Sequence, residues 1–103
     1  INYLDNVNFK ELKELNLLSN KISDIKVLEK VKFDKLEILN LSGNEISDIN
    51  NLEKANFKEL KELDLSYNKI SDIKILEKVK FEKLEKLNLS GNKELSDINL
   101  KKT

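Results

Sequence analysis

The chain repeats one pattern of hydrophobic and polar positions four times. The pattern is LxxLxLxxN, first seen as Leu12, Leu15, Leu17 and Asn20. Copies recur every 24 residues, and each is preceded by a phenylalanine, at Phe9, Phe33, Phe57 and Phe81. A period of this size indicates a repeat protein in which each unit buries its apolar face against its neighbours.

The middle of each copy predicts a short strand. In Leu15-Asn16-Leu17 apolar and polar residues alternate, so both leucines lie on the buried face and Asn16 on the other. Asn20 follows at the turn, where an inward amide side chain can satisfy backbone groups that the bend leaves unpaired. We therefore expect the repeated asparagines to form a ladder of hydrogen bonds.

The second half of each copy predicts a helical segment. Ser23, in an ISDI segment, has the residue type and position of a helix N-cap. Ile25, Leu28 and Val31 then recur at a spacing of three, as on one stripe of a short α or 3₁₀ helix, after which Phe33 closes the interior. One strand and one short helix bury little apolar surface alone, so the units are expected to stack.

The repeats divide one solenoid into five segments. These are a partial repeat at 1–8, repeats at 9–32, 33–56 and 57–80, and a degenerate last repeat at 81–103. In the last one Lys93-Glu94 inserts a residue before Leu95-Ser96-Asp97-Ile98.

The motif LxxLxLxxNxISDI, here Leu12 to Ile25, resembles leucine-rich-repeat proteins of the class that includes bacterial internalins and phosphatase-regulatory repeat proteins. The resemblance implies an α/β fold, a leucine-rich-repeat solenoid. Its curved parallel β-sheet would form the concave side, and short α or 3₁₀ helices the convex side. It also implies that ligands bind mostly on the concave strands.

Charges alternate from one repeat to the next. The two alternating columns are Glu11, Lys35, Glu59, Lys83 and Lys13, Glu37, Lys61, Glu85. Neighbouring strands lie about 4.8 Å apart, so residues of one column become neighbours, and opposite charges attract by about 0.2 to 1 kcal/mol per pair. The alternation indicates that the duplicated unit is a pair of repeats.

The two copies of that pair, 9–44 and 57–92, differ at only six positions. Four of the differences fall on the outward positions of the predicted strands or just after them. They are Asn16 against Asp64, Leu18 against Ser66, Ser19 against Tyr67, and Ile38 against Lys86. No packing requirement explains change there, so it reflects either a binding surface or drift after duplication.

The prediction that follows is a non-enzymatic protein–protein interaction module that binds a macromolecular partner on its concave strand face. Leu18, Ile38 and Tyr67 are its apolar candidates, because exposed apolar groups with a tyrosine are typical of interface hot spots. The full set of candidate partner-binding residues is Glu14, Asn16, Leu18, Ile38, Asn40, Glu62, Asp64, Ser66, Tyr67, Lys86 and Asn88.

Composition argues against several other functions. The 103 residues carry 19 basic and 19 acidic side chains, and all the basic ones are lysine, so nucleic-acid or membrane partners are not expected. Cysteine and histidine are absent, and we predict no catalytic residue, no cofactor and no metal. Glu62 and Asp64 share a strand face but lack an activating group, and no loop gathers the six to eight oxygens that Ca²⁺ takes.

An alternative prediction is a structural or self-assembling element that stacks end to end or forms part of a longer array. The first unit is open at Ile1 with no capping element before it, and solenoids normally need caps. Self-association would use that N-terminal edge, whereas the main prediction requires a protein partner of unknown identity. No targeting or membrane-spanning segment is visible, which leaves the cytoplasm or, with a signal elsewhere, the cell surface.

Overall fold

A computed structural model describes residues 9–55, 57–79 and 81–95, in which short strands alternate with 3₁₀ helices. The strands are β1 (Glu14–Asn16), β2 (Ile38–Asn40), β3 (Glu62–Asp64) and β4 (Lys86–Asn88). The helices between them are η1 (Lys26–Glu29), η2 (Asn50–Glu53) and η3 (Lys74–Glu77).

The four strands form one parallel sheet in sequence order, β1-β2-β3-β4. Leu15 pairs with Leu39, which pairs with Leu63, so equivalent residues of successive repeats stand side by side. The sheet and the row of 3₁₀ helices confirm the predicted leucine-rich-repeat solenoid. Each repeat contacts mainly the next, as expected of a nearly one-dimensional core.

The core lies between the sheet and the helices. Leu39 and Leu63 fill it from the strands, and the predicted stripe is confirmed because Ile25, Leu28 and Val31 are all buried. Phe33 is buried as well, and its ring lies 5.9 Å from those of both Phe9 and Phe57. Three of the recurring phenylalanines, Phe9, Phe33 and Phe57, therefore stack along the array and close the end of the core.

A ladder of buried asparagines, formed by Asn44, Asn68 and Asn92, joins the repeats as predicted, but the inward position predicted for Asn20 is wrong because its side chain is exposed. The Asn44 amide nitrogen donates to the carbonyl oxygens of Leu17, Leu41 and Ser42 at 3.0, 2.9 and 3.2 Å. Its Oδ1 accepts from the backbone N–H groups of Asn20 and Ile22 at 2.9 Å each. One side chain thus satisfies five backbone groups in two repeats.

The prediction that Ser23 caps the helix is wrong. Helix η1 begins at Lys26, so its N-cap residue is Ile25, and no side chain caps it. Ser23 is exposed, and the adjacent Asp24 accepts a hydrogen bond from the backbone N–H of Lys26 at 2.9 Å instead. The helix begins later than expected. The carboxylate of Asp24, two residues before the first helical residue, therefore forms the side-chain bond at the turn in place of the Ser23 hydroxyl.

Candidate functional site: the concave strand face

The concave strand face is defined here by the outward residues of the four strands. Strand alternation directs these side chains away from the core. They are Glu14 and Asn16 of β1, Ile38 and Asn40 of β2, Glu62 and Asp64 of β3, and Lys86 and Asn88 of β4. Those of β2 and β3 are half-buried, whereas those of β1 and β4 are exposed.

A shallow depression of about 480 Å³ lies on this face across β2, β3 and β4. Six predicted site residues line it together: Ile38, Asn40, Glu62, Asp64, Lys86 and Asn88. Glu14 and Asn16 lie on β1 outside it. Glu85 also lines the depression. Sequence reasoning assigns Glu85 only to a charge column, because strand alternation directs the residue before the outward Lys86 to the opposite face.

The Asn and Asp residues of this face also end the strands. Asn40 Oδ1 accepts the backbone N–H of Ser42 at 2.9 Å, and Asp64 Oδ1 accepts that of Ser66 at the same distance. Asn88 makes the equivalent bond to Ser90 at 3.0 Å. The side-chain oxygen at this position therefore has a structural role whether or not a partner binds.

The prediction that Ser66 lies on the exposed face is wrong. Its exposed fraction is 2%, and its hydroxyl lies 2.8 Å from that of Ser42. Strand β3 ends at Asp64, so the alternation of inward and outward side chains does not reach Ser66. The turns after Asn40 and Asp64 bring the hydroxyls of Ser42 and Ser66 into the interior, where they share a hydrogen bond.

Leu18 and Tyr67 lie beyond the strands rather than in the depression. They are exposed large hydrophobic residues, at 49% and 66%. Tyr67 has a φ of 55°, in the left-handed region, and its ring occupies the space over Gly91. A Cβ atom on Gly91 would lie 2.5 Å from the Tyr67 ring. Gly91 therefore makes room for an exposed aromatic side chain that is held in an unfavourable backbone conformation.

Replacing Tyr67 with glycine is expected to leave the free energy of unfolding within about 1 kcal/mol of that of the natural chain. Relief of the left-handed strain, about 1–2 kcal/mol, offsets the greater freedom of glycine in the unfolded chain. Urea denaturation checks this result. The comparison variant is Gly91→Ala, which should be less stable because Gly91 has a φ of 75° and adjoins the Tyr67 ring. A large loss in Tyr67→Gly with none in Gly91→Ala would contradict this account.

Ion pairs join neighbouring repeats, as the alternating charges predict. Lys35 lies 2.9 Å from Glu11, Lys83 lies 2.8 Å from Glu59, and Lys61 lies 3.8 Å from Glu37. A further pair on the concave strand face joins Lys86 to Glu62 at 3.6 Å. These pairs are exposed, so they contribute to the order of neighbouring repeats more than to stability.

The stabilisation from the Glu59–Lys83 ion pair is expected to depend on pH. The hydrogen bond from Lys83, together with its charge, lowers the pKa of Glu59 below 4.5, and the same bond raises the pKa of Lys83 above 10.5. The pair's contribution to folding stability should be lost as the pH falls through the lowered pKa of Glu59. It should likewise be lost as the pH rises through the raised pKa of Lys83.

In Lys83→Met the pKa of Glu59 should return towards 4.5, as measured by NMR titration of its side-chain carboxyl carbon. Lys54→Met is the control, because Lys54 lies at the end of η2 on the convex side. An unchanged Glu59 titration in Lys83→Met would show that the ion pair is not formed in solution.

The described residues contain no group of three or more Asp, Glu, His or Cys side chains arranged to hold a metal ion. Nor does this part of the chain contain a helix that is long and apolar enough to cross a membrane. The chemistry of the concave strand face is thus that of amides, carboxylates, one lysine and one isoleucine. Such a surface can bind by hydrogen bonds, charge and apolar contact.

Parallel strands stacked at a constant register, buried leucines and an asparagine ladder define a solenoid of leucine-rich repeats. The family model for two copies of leucine-rich repeats matches residues 3–54 and 58–102. The chain therefore belongs to the leucine-rich-repeat family. Domains of this family generally mediate protein–protein interaction and are typically not enzymes.

Within that family the resemblance to internalins is confirmed. The crystal structure of an internalin from Listeria monocytogenes strain 4b F2365 shares 29% sequence identity with the chain, at a TM-score of 0.50. The match covers 87% of this chain and 31% of the internalin chain, so the sequence spans about a third of that structure's length. A search of curated proteins found no match.

Proposed function

We propose that the chain is a protein–protein interaction module that binds a protein partner on its concave strand face, without catalysing a reaction. The observation that carries this proposal is the depression across β2, β3 and β4, which brings six of the predicted residues together. An isoleucine beside amides and carboxylates supplies both apolar contact and hydrogen bonds, which is the usual composition of a protein interface. Similarity to an internalin supports the same class of function.

Differences between the duplicated halves support the same surface. Ile38, which lines the depression, has Lys86 at the equivalent position of the other half. The exposed Tyr67 has Ser19 at the equivalent position. Leu18 is exposed, whereas its counterpart Ser66 is buried. Among the core positions the halves differ only conservatively, at Val27 and Ile75, whereas the larger changes alter side chains that a partner could contact.

The test exchanges each apolar candidate for a residue that the array already accepts at that position. The variant carries Leu18→Ser, Ile38→Lys and Tyr67→Gly, and the new residue types are those of Ser42, Lys86 and Gly91 at the equivalent positions of other repeats. We expect it to fold like the natural chain by circular dichroism. It should no longer retain the proteins that the immobilised natural chain retains from an extract.

The matched control carries Glu53→Ser and Lys54→Ser. Both residues are exposed at the end of η2, and the two substitutions together leave the net charge unchanged. It should retain the same proteins as the natural chain. Equal retention by the concave variant, or loss in both variants, would refute binding through the concave strand face.

A second candidate function is extension of the array by association, and one observation favours it. Leu87 on β4 is 39% exposed, whereas the equivalent Leu39 and Leu63 are buried by their neighbouring strands. An exposed leucine on an edge strand favours pairing with a further strand. Sedimentation over a wide concentration range separates the two candidates, because a monomer throughout excludes self-assembly. The N-terminal edge predicted for self-association belongs to residues 1–8, which lie outside the described residues.

A further inference from the structure

The hydrogen bonds on the concave strand face determine which polar atoms remain for a partner. In Asn40 and Asn88 the atom that faces the backbone N–H two residues later must be the amide oxygen, because an N–H group only donates. The amide nitrogens make no hydrogen bond among the described residues. Both asparagines therefore offer donors to whatever binds in the depression.

Asp64 holds the same position between them but offers the opposite polarity. Its Oδ1 accepts from both the backbone N–H and the hydroxyl of Ser66. Because the Ser66 hydroxyl donates to this carboxylate, it accepts from the hydroxyl of Ser42. These bonds fix Oδ1, and Oδ2 makes no hydrogen bond within the described part of the chain. Asp64 thus presents one ionised acceptor between two donors.

The surroundings of Asp64 leave its charge available. Lys86, the lysine that lines the depression, lies 3.6 Å from Glu62. Within the described residues no lysine lies within ion-pair distance of Asp64. The half-buried Ile38 lines the same depression and supplies an apolar surface.

From this polarity we infer the chemistry of the partner, an inference that rests on the proposed function. We propose that the depression binds a segment of a protein partner that places a lysine or arginine side chain on Asp64. The same segment would place carbonyl oxygens on Asn40 and Asn88. Asn40 pairs with Asp64 and Asp64 with Asn88 in the sheet, so the three side chains span about 10 Å, or roughly three residues of an extended peptide.

A long cationic side chain fits both parts of this site. Its aliphatic stem can pack on Ile38 while its charged end reaches the Asp64 carboxylate. A bond from a charged donor to a carboxylate is stronger than one between neutral groups. The neighbouring amides favour a backbone that crosses the strands with its carbonyl groups towards the sheet.

The test uses two short peptides that differ in one charge. The first is acetyl-Gly-Arg-Gly-amide, and the second has citrulline, the neutral isostere of arginine, in place of arginine. Titration of the full chain is followed by amide NMR shifts. We expect the arginine peptide to shift signals around Asn40, Asp64 and Asn88, and the citrulline peptide to bind at least ten times more weakly.

The decisive variant is Asp64→Asn. Asparagine keeps the Oδ1 that accepts from Ser66, as Asn40 and Asn88 do for their own serines, so the fold should be preserved. It replaces the free acceptor with a donor, and affinity for the arginine peptide should fall at least tenfold. Glu53→Gln, on the convex side, should leave that affinity unchanged.

Three results would overturn the inference. They are an equal response to both peptides, a response to the arginine peptide that survives Asp64→Asn, and a response that spreads evenly over exposed carboxylates. Failure of the proposed function is recognised separately, by protein retention that survives the triple concave variant. If the triple variant loses retention but Asp64→Asn does not, the concave strand face binds a partner without the cationic contact.

Discussion

Replacing Asn44 with alanine is expected to lower the free energy of unfolding by at least about 3 kcal/mol. The Asn44 side chain is buried and makes five hydrogen bonds to backbone groups of two adjacent repeats. Alanine leaves the Leu17 carbonyl and the N–H groups of Asn20 and Ile22 without partners, whereas the carbonyls of Leu41 and Ser42 keep bonds from Asn68 Nδ2 and the Ser19 N–H. Each buried group that stays unsatisfied costs about 1–3 kcal/mol. Some regain water or shift towards other partners, so the total should be smaller than the sum. The measurement is urea denaturation followed by circular dichroism.

Asn20→Ala is the matched control, because Asn20 occupies the same position of the preceding repeat. Its side chain is exposed and makes one hydrogen bond within the described residues, from Nδ2 to the carbonyl oxygen of Leu18 at 3.0 Å. We expect a loss below about 1 kcal/mol for Asn20→Ala. Similar losses in the two variants would show that the ladder does not stabilise the array.

Replacing Phe33 with alanine should cost about 3–5 kcal/mol, the usual range for a buried aromatic residue. Phe33 is 1% exposed and stacks on Phe9 and on Phe57. Its loss leaves a cavity between two repeats, and the array depends on contacts between neighbours. The same denaturation experiment measures the effect.

Phe81→Ala serves as the comparison for Phe33, since Phe81 has the same place in its repeat but is only half-buried. Among the described residues its ring stacks on no other aromatic ring. The cost should therefore be clearly smaller. A cost in Phe81→Ala as large as in Phe33→Ala would contradict the idea that stacking and burial at Phe33 hold adjacent repeats together.

Much of the fold could be predicted because the repeat itself is informative. A leucine at every inward strand position leaves one arrangement that buries them all, which is a parallel stack in register. The asparagine ladder follows from the need to satisfy backbone groups at each turn. Ion pairs such as Glu59–Lys83 follow from charge alternation and the distance between strands.

Other features depend on where each element ends, and the pattern does not fix that position. Extending the alternation past Asp64 places Ser66 on the exposed face, but a hydrogen bond from the Ser66 N–H to Asp64 ends the strand first. Ser23 could cap a helix only if the helix began directly after it, but η1 begins at Lys26. Side-chain bonds to the backbone, which decide both cases, compete locally with regular structure.

The sequence predicts which residues form the candidate site, but not which of their polar atoms remain available to a partner. Alternation identifies Ile38, Asn40, Glu62, Asp64, Lys86 and Asn88 as outward residues. The structure adds that Asn40 and Asp64 use one oxygen each to end their strands, so they differ in the one atom left for a partner. That difference in polarity cannot be seen until the hydrogen bonds are known.

Photocrosslinking tests the central claim most directly. A photoreactive amino acid is placed singly at Ile38 or Lys86 in the depression, and at Glu53 or Lys78 near the ends of η2 and η3. After illumination in an extract, we predict that the first two positions crosslink the same protein and that the last two do not. Crosslinks to that protein from the convex positions alone, or equally from all four, would contradict binding through the concave strand face.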